Sequence, residues 1–181
     1  MKYRLQYGGM TLGQEEKDAI MEVVDENWWP LGKRGKLLEQ ESADYLGIKH
    51  CILANSGSSA GLLALTALEL PKGSEVIIPA VTFPTIFNII VQTGLKPVVA
   101  DCEVGTYSLN LDQVQSLISR KTRAIIAVHP VGNPVDMLRL MRMVAKINAR
   151  RPAHKKLYVL EDNCDGWGGS ISGKKLGTFG E

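Results

Sequence analysis

Hydrophobic positions along this chain follow two alternating rhythms. Short aliphatic runs at residues 75–79, 96–101, 122–129 and 157–160 are bounded by turn residues and read as buried strands. A shorter apolar run at 50–54 predicts one more strand. Between the runs the spacing becomes helical. Residues 14–29 bring Ile20, Val23, Val24 and Trp28 onto one side, with Pro30 and Gly32 ending the helix. Residues 37–46 form a second amphipathic segment closed by Gly47, and residues 60–70 are dense in Ala and Leu. Further helices are expected through Ile89 to Val91, over 111–118, and from Pro134, at the favoured first helical position, to about residue 148. Strands alternating with helices imply parallel βαβ units and hence an α/β fold with helices on both faces of a mostly parallel sheet. After Gly168 the pattern shifts to a hairpin with Gly173 in its turn. Residues 1–13, with three glycines, read as irregular.

Composition narrows the class of ligand. With 181 residues, 45% of them hydrophobic and 22% charged, the chain can bury a core. A formal charge of +2, with no basic block interleaved with aromatics, argues against nucleic acid. The basic runs at 31–36 and 150–156 read as solvated loops, with an anion or partner contact as the alternative for the first. Cys51, Cys102 and Cys164 are odd in number and form no CxxC pair, so neither a disulfide framework nor a metal site is expected. No signal-peptide core or membrane span is visible, and the expected location is the cytoplasm.

Three places carry candidate chemistry. The run at 157–160 ends in Glu161-Asp162-Asn163-Cys164-Asp165, which delivers Asp162 and Asp165 to the rim of the sheet. Ligands of open α/β sheets bind there, although a carboxylate can also cap the next turn. The turn Asn55-Ser56-Gly57-Ser58-Ser59 lies between predicted strand and helix. It would offer a phosphate backbone N–H groups, hydroxyls and the positive end of a helix dipole, or would serve as an ordinary N-cap. It matches neither GxGxxG nor GxxxxGK[ST], which counts against a nicotinamide-dependent oxidoreductase and a P-loop nucleotide site. Phe83, just past a strand end, could stack on a flat cofactor or belong to the core.

In order and spacing, the 55–60 turn, the 79–88 segment, Gly105-Thr106-Tyr107, Gly132-Asn133-Pro134 and the 161–165 string resemble the DegT/StrS-type family of pyridoxal-phosphate enzymes. The resemblance implies the aspartate-aminotransferase (type I) fold, pyridoxal or pyridoxamine 5'-phosphate as cofactor, and nucleotide-linked keto-sugars as substrates. It implies that Gly57, Ser58 and Ser59 form the phosphate cup, that Phe83 stacks on the pyridine, that Asp162 partners the pyridine nitrogen, and that Asp165 is also a cofactor-binding residue. A carboxylate suits that place because a nearby anion favours the protonated ring that serves as electron sink. The 161–165 string, Gly132-Asn133-Pro134 and Phe83-Pro84-Thr85 look more like the hexulose 3-dehydrase branch, in which a histidine replaces the usual Schiff-base lysine.

The family's Schiff-base lysine or replacing histidine is expected downstream of Glu181. Lys174 and Lys175 do not fit the role, since they fall in a predicted exposed turn whereas a catalytic lysine needs a desolvated site. The expected organisation is an N-terminal helix and loop (1–36) and a partial cofactor-binding large domain (37–181), with the small domain absent. Two functional expectations follow. One is the N-terminal part of a sugar aminotransferase or 3-dehydrase of deoxysugar or polysaccharide biosynthesis, inactive alone. The other is a non-catalytic binding or assembly protein that keeps the half-site. Either would act as a homodimer or with a complementing chain, because open strand edges and apolar surface favour association.

Overall fold

The structure, a computed structural model, describes residues 11–180. Most of the expected irregular start lies outside them. Helices α1 (Gln14–Asp25), α2 (Lys33–Leu46) and α3 (Gly57–Ala67) precede strand β1 (Glu75–Pro79). The chain continues through α4 (Thr85–Gln92), β2 (Lys96–Ala100), α5 (Leu111–Leu117), β3 (Thr122–Val128), α6 (Met137–Asn148) and β4 (Tyr158–Asp162). A two-stranded hairpin, β5 (Ser170–Ile171) and β6 (Lys174–Lys175), follows.

The four long strands form one parallel sheet in the order β2-β1-β3-β4. Central β1 and β3 are Val/Ile-rich because both of their faces are covered. Side chains alternate across a strand. Ile77, Ile125 and Val159 therefore point to one face, where Val114 of α5 and Leu140 and Val144 of α6 complete a core layer. Val76, Ile78, Ala124 and Ile126 point to the other, against Leu65 of α3 and Ile86, Ile89 and Ile90 of α4. The result is the expected three-layer α/β/α arrangement. Leu176 and Phe179, after the hairpin, join the α5/α6 layer. The hairpin turn has positive φ at Ser172 (51°) and Gly173 (81°), the geometry of a two-residue type I′ connection.

From β1 the chain crosses to β2 on one face, and from β3 it crosses to β4 on the other. The loops leaving the carboxyl ends of adjacent β1 and β3 thus diverge, which makes the crevice between them a topological switch point.

Three expectations are corrected. Residues 50–54 form no strand, because the Leu53 N–H is taken by Glu39 Oε1 of α2 at 2.9 Å and no strand among the described residues pairs with them. Helix α2 begins at Lys33, running through the predicted basic loop; pairs of Lys33 with Glu26 and Arg34 with Glu22 tie its first turn to the end of α1. Helix α6 begins after Asp136, whose Oδ1 accepts the Arg139 N–H at 2.9 Å. Pro134 lies outside the helix because buried Val135 commits its N–H to His129 Nδ1 at 3.2 Å, which holds that stretch off helical geometry. Among the described residues no helix is long and apolar enough to cross a membrane.

Candidate functional site

Strand β4 carries two consecutive carboxylates to the carboxyl edge of the sheet, and the strand repeat sends them to opposite sides. Asp162 shares the parity of Tyr158 and Leu160, which pack with the α3/α4 layer. Its Oδ1 accepts one local bond, from Cys164 N at 3.3 Å.

Helix α3 lies on that same face. It feeds through a short connection into the amino edge of β1, so its first turn, about 16 Å back along its axis, is at the carboxyl edge. Ser56 is its N-cap, and Ser56 Oγ accepts the Ser59 N–H at 3.1 Å. The predicted cap and the predicted phosphate turn are therefore the same structure. The cap uses one of the orphan donors of the first turn, and the N–H groups of Gly57 and Ser58 remain directed out of the helix end. Among the described residues nothing lies within 4 Å of where a Cβ on Gly57 would stand. Phe83 is on the loop leaving β1, at the switch point, and is 70% exposed, so it is not a core residue.

Two buried side-chain oxygens, Thr82 Oγ1 and Asn163 Oδ1, have no hydrogen-bond partner among the described residues. Each is the sequence neighbour of a predicted cofactor residue, Phe83 and Asp162. Buried polar atoms are rarely left unpaired, and such orphans call for an explanation. Open helix-end donors, an exposed ring and a lightly engaged carboxylate at one sheet edge suit a flat, phosphate-bearing ring compound; Asn163 lies instead against Gly166 and Gly177, on the Leu176 side. Asp165 has a bracing contact: its Oδ2 accepts the Val131 N–H at 3.0 Å, in a turn where Val131 itself holds a φ of 55°. Such a φ is a strained conformation for a β-branched residue.

Glu161, the other carboxylate of the pair, is held by four hydrogen-bonding partners. Its side chain is 3% exposed and lies on the α5/α6 face. Oε1 accepts the N–H groups of Phe179 (2.5 Å) and Gly180 (2.7 Å), and Oε2 that of Gly177 (2.9 Å). His129 Nε2 stands 3.4 Å from Oε2, and since His129 Nδ1 accepts from Val135, the ring proton facing Glu161 is on Nε2. Burial pushes the Glu161 carboxyl up, but the bonds from His129 and from Gly180, Gly177 and Phe179 outweigh it and hold the group below the ordinary carboxylate range. The signal was available in the strand parity: a carboxylate on a core-facing position must be paired. Gly180 permits the closure, since a Cβ there would lie 2.5 Å from Val159 O.

Lys174 and Lys175 lie in the hairpin, and each ammonium is held over an aromatic ring. That of Lys174 sits 4.6 Å from the centre of the Phe179 ring, and that of Lys175 lies over Tyr45, which stacks on Trp167.

A parallel α/β scaffold with an anion-ready helix start, an exposed ring and a carboxylate at one sheet edge defines a class of cofactor-binding proteins. The chain belongs to the DegT/DnrJ/EryC1/StrS aminotransferase family, whose model matches residues 10–181. It is 38% identical to a dTDP-4-dehydro-2,6-dideoxy-D-glucose 3-dehydratase from Saccharopolyspora spinosa, over 96% of this chain and 37% of that protein. It is 33% identical to a dTDP-4-dehydro-2,3,6-trideoxy-D-glucose 4-aminotransferase from the same organism, over 94% of this chain and 43% of that one. Among solved structures, the Escherichia coli GDP-4-keto-6-deoxy-D-mannose-3-dehydratase with bound hydrated PLP superposes with a TM-score of 0.86 at 29% identity, covering 95% of this chain and 44% of that chain. The chain thus spans well under half the length of these relatives.

Proposed function

We propose that this chain is the cofactor-cradling N-terminal part of an enzyme that uses pyridoxal or pyridoxamine 5'-phosphate on nucleotide-linked keto-sugars, in deoxysugar or polysaccharide biosynthesis. The observation that carries the reading is the convergence of the α3 start, Phe83 and Asp162 at one edge of the sheet.

In this reading the first turn of α3, with the Ser58 and Ser59 hydroxyls, holds the cofactor phosphate. Phe83 covers one face of the ring and excludes water from it. Asp162 holds a proton at the ring nitrogen by charge and hydrogen bonding. Asp165 braces the loop that borders the site. When bound, the cofactor supplies the electron sink for carbanion chemistry on the sugar. Similarity to a 3-dehydratase, together with the 161–165 string, favours removal of a sugar hydroxyl over transamination. We place the enzyme in the cytoplasm, where Cys51, Cys102 and Cys164 stay reduced, and assign it a homodimeric or complementing-chain assembly.

Titration with pyridoxal phosphate, followed by absorbance, tests the site. Saturable binding is expected. Asp162→Asn removes a charge-assisted hydrogen bond and should weaken binding by about 10- to 100-fold. Unchanged affinity in that variant would overturn the assignment.

A further inference from the structure

Residues 111–156 contain ten Lys and Arg against two Asp and Glu, whereas the whole chain has a net charge of +2. The fold gathers that excess on the outer side of the α5/α6 layer. Arg139, Arg142, Lys146 and Arg150 recur along one side of α6 and its extension, opposite the buried stripe of Met137, Leu140 and Val144. With Gln115 of α5 they line a groove of about 520 Å³, whose apolar lining is Met143 and Ile147. A second hollow of about 280 Å³ adjoins it through the shared Arg150 and Arg151 and adds Arg120, Arg123 and Lys155.

Acidic compensation is sparse. Asp112 pairs with Arg139. No carboxylate among the described residues pairs with Arg142, Lys146 or Arg150. Two guanidinium groups are held in place by carbonyl oxygens, which leave their charge intact. Arg151 donates to Thr122 O and Ser119 O, each at 2.7 Å, and Arg123 donates to Lys155 O at 2.9 Å. Burial, and then the Arg123 charge beside it, lower the Arg151 pKa from its ordinary value, as expected for crowded, uncompensated cations.

We propose that this groove binds an oligophosphate anion of nucleotide size, at a site separate from the cofactor edge. Arg150 and Arg151 lie at the amino edge of the sheet beside the start of β3, whereas Asp162 ends β4 at the opposite edge. The volume falls within the range of about 300–1,000 Å³ usual for small-ligand sites. The Arg142 and Arg150 guanidinium groups and the Lys146 ammonium, with no carboxylate partner among the described residues, suit phosphate oxygens, and the Met143 and Ile147 surface can receive an apolar moiety. A lipid surface fits less well, since the cations line a concavity and the apolar stripe of α6 is already buried in the core. Extended nucleic acid fits less well too, because no aromatic residue lines the groove to stack on bases.

Isothermal titration calorimetry of the 181-residue chain with inorganic tripolyphosphate and, separately, ATP tests the proposal at near-physiological salt. Saturable 1:1 binding is expected, weakened at least about tenfold in Arg142→Glu/Lys146→Glu. ATP binding more tightly than tripolyphosphate would identify a nucleotide as the source; equal affinity would identify the phosphate chain alone. Gln115→Glu, which adds an acid without removing a cation, should weaken binding in the same direction and serves if the double variant does not fold. Pyridoxal phosphate titration should be unmoved in either variant, which separates this site from the cofactor edge. No saturable binding, affinity unchanged in both variants, or binding confined to anionic vesicles or duplex DNA would overturn the proposal.

Discussion

Along β4 the parity of a position decides what its carboxylate does. Asp162 turns toward the α3 side with one weak local bond, and stays available to a ligand. Glu161 turns into the α5/α6 side, where three backbone donors and His129 enclose it. Its folded-state pKa is depressed, so the unfolded chain, titrating near about 4.3, binds a proton that the native state releases. The stabilisation is therefore present above the unfolded pKa and is lost as pH falls through the lower folded value. Glu161→Gln should cost about 1–3 kcal/mol near neutral pH, and the gap from the unaltered protein should close as pH falls below about 4. Urea unfolding at a series of pH values measures this; a gap that does not vary with pH would contradict it. Asp162 was legible in the sequence because an acid ending an apolar run is locally visible. For Glu161 the strand parity shows only that a core-facing acid needs partners; which ones is not legible, because they lie more than a dozen residues away and in another loop.

Among the elements, the four long strands and the helices between them were legible from periodicity, since each buries a face whose spacing the sequence must keep. Departures occur where a tertiary partner outbids a local preference. Leu53 gives its N–H to Glu39 instead of a strand, and the start of α2 is tied to α1 by ion pairs. At α6, Pro134 is a good first-turn residue, but Asp136 makes the cap and Val135 is tied to His129. These two views of α6 predict different mutants. Asp136→Ala should lower stability by about 1 kcal/mol through loss of the cap, and Pro134→Ala should cost less. Chemical denaturation of both variants decides; a larger loss at Pro134 would return the helix start to the proline.

Across the whole molecule, burial is uneven. The α/β/α core is closed on both sides of the sheet, but α1 buries none of its residues, and Ile20, Met21 and Val24 are exposed on it. Trp28 and Trp29 follow, 59% and 68% exposed, and Leu63 of α3 with Phe87 and Val91 of α4 add apolar surface on the opposite layer from the basic groove. Apolar surface on this scale exceeds what scattered exposed residues explain, and it favours association. Basic α6 is a poor place for that contact, because like charges would meet across it. The α1 side is the better one, since an amphipathic helix with nothing buried lacks the tertiary contacts that ordinarily stabilise helices. The chain should therefore sediment as a concentration-dependent species heavier than a monomer, and Ile20→Lys/Val24→Lys should shift it toward the monomer without lowering its cooperative melt. Analytical ultracentrifugation at several concentrations reads this directly: a monomer throughout would refute association, and an oligomer indifferent to the double substitution would move the contact away from α1.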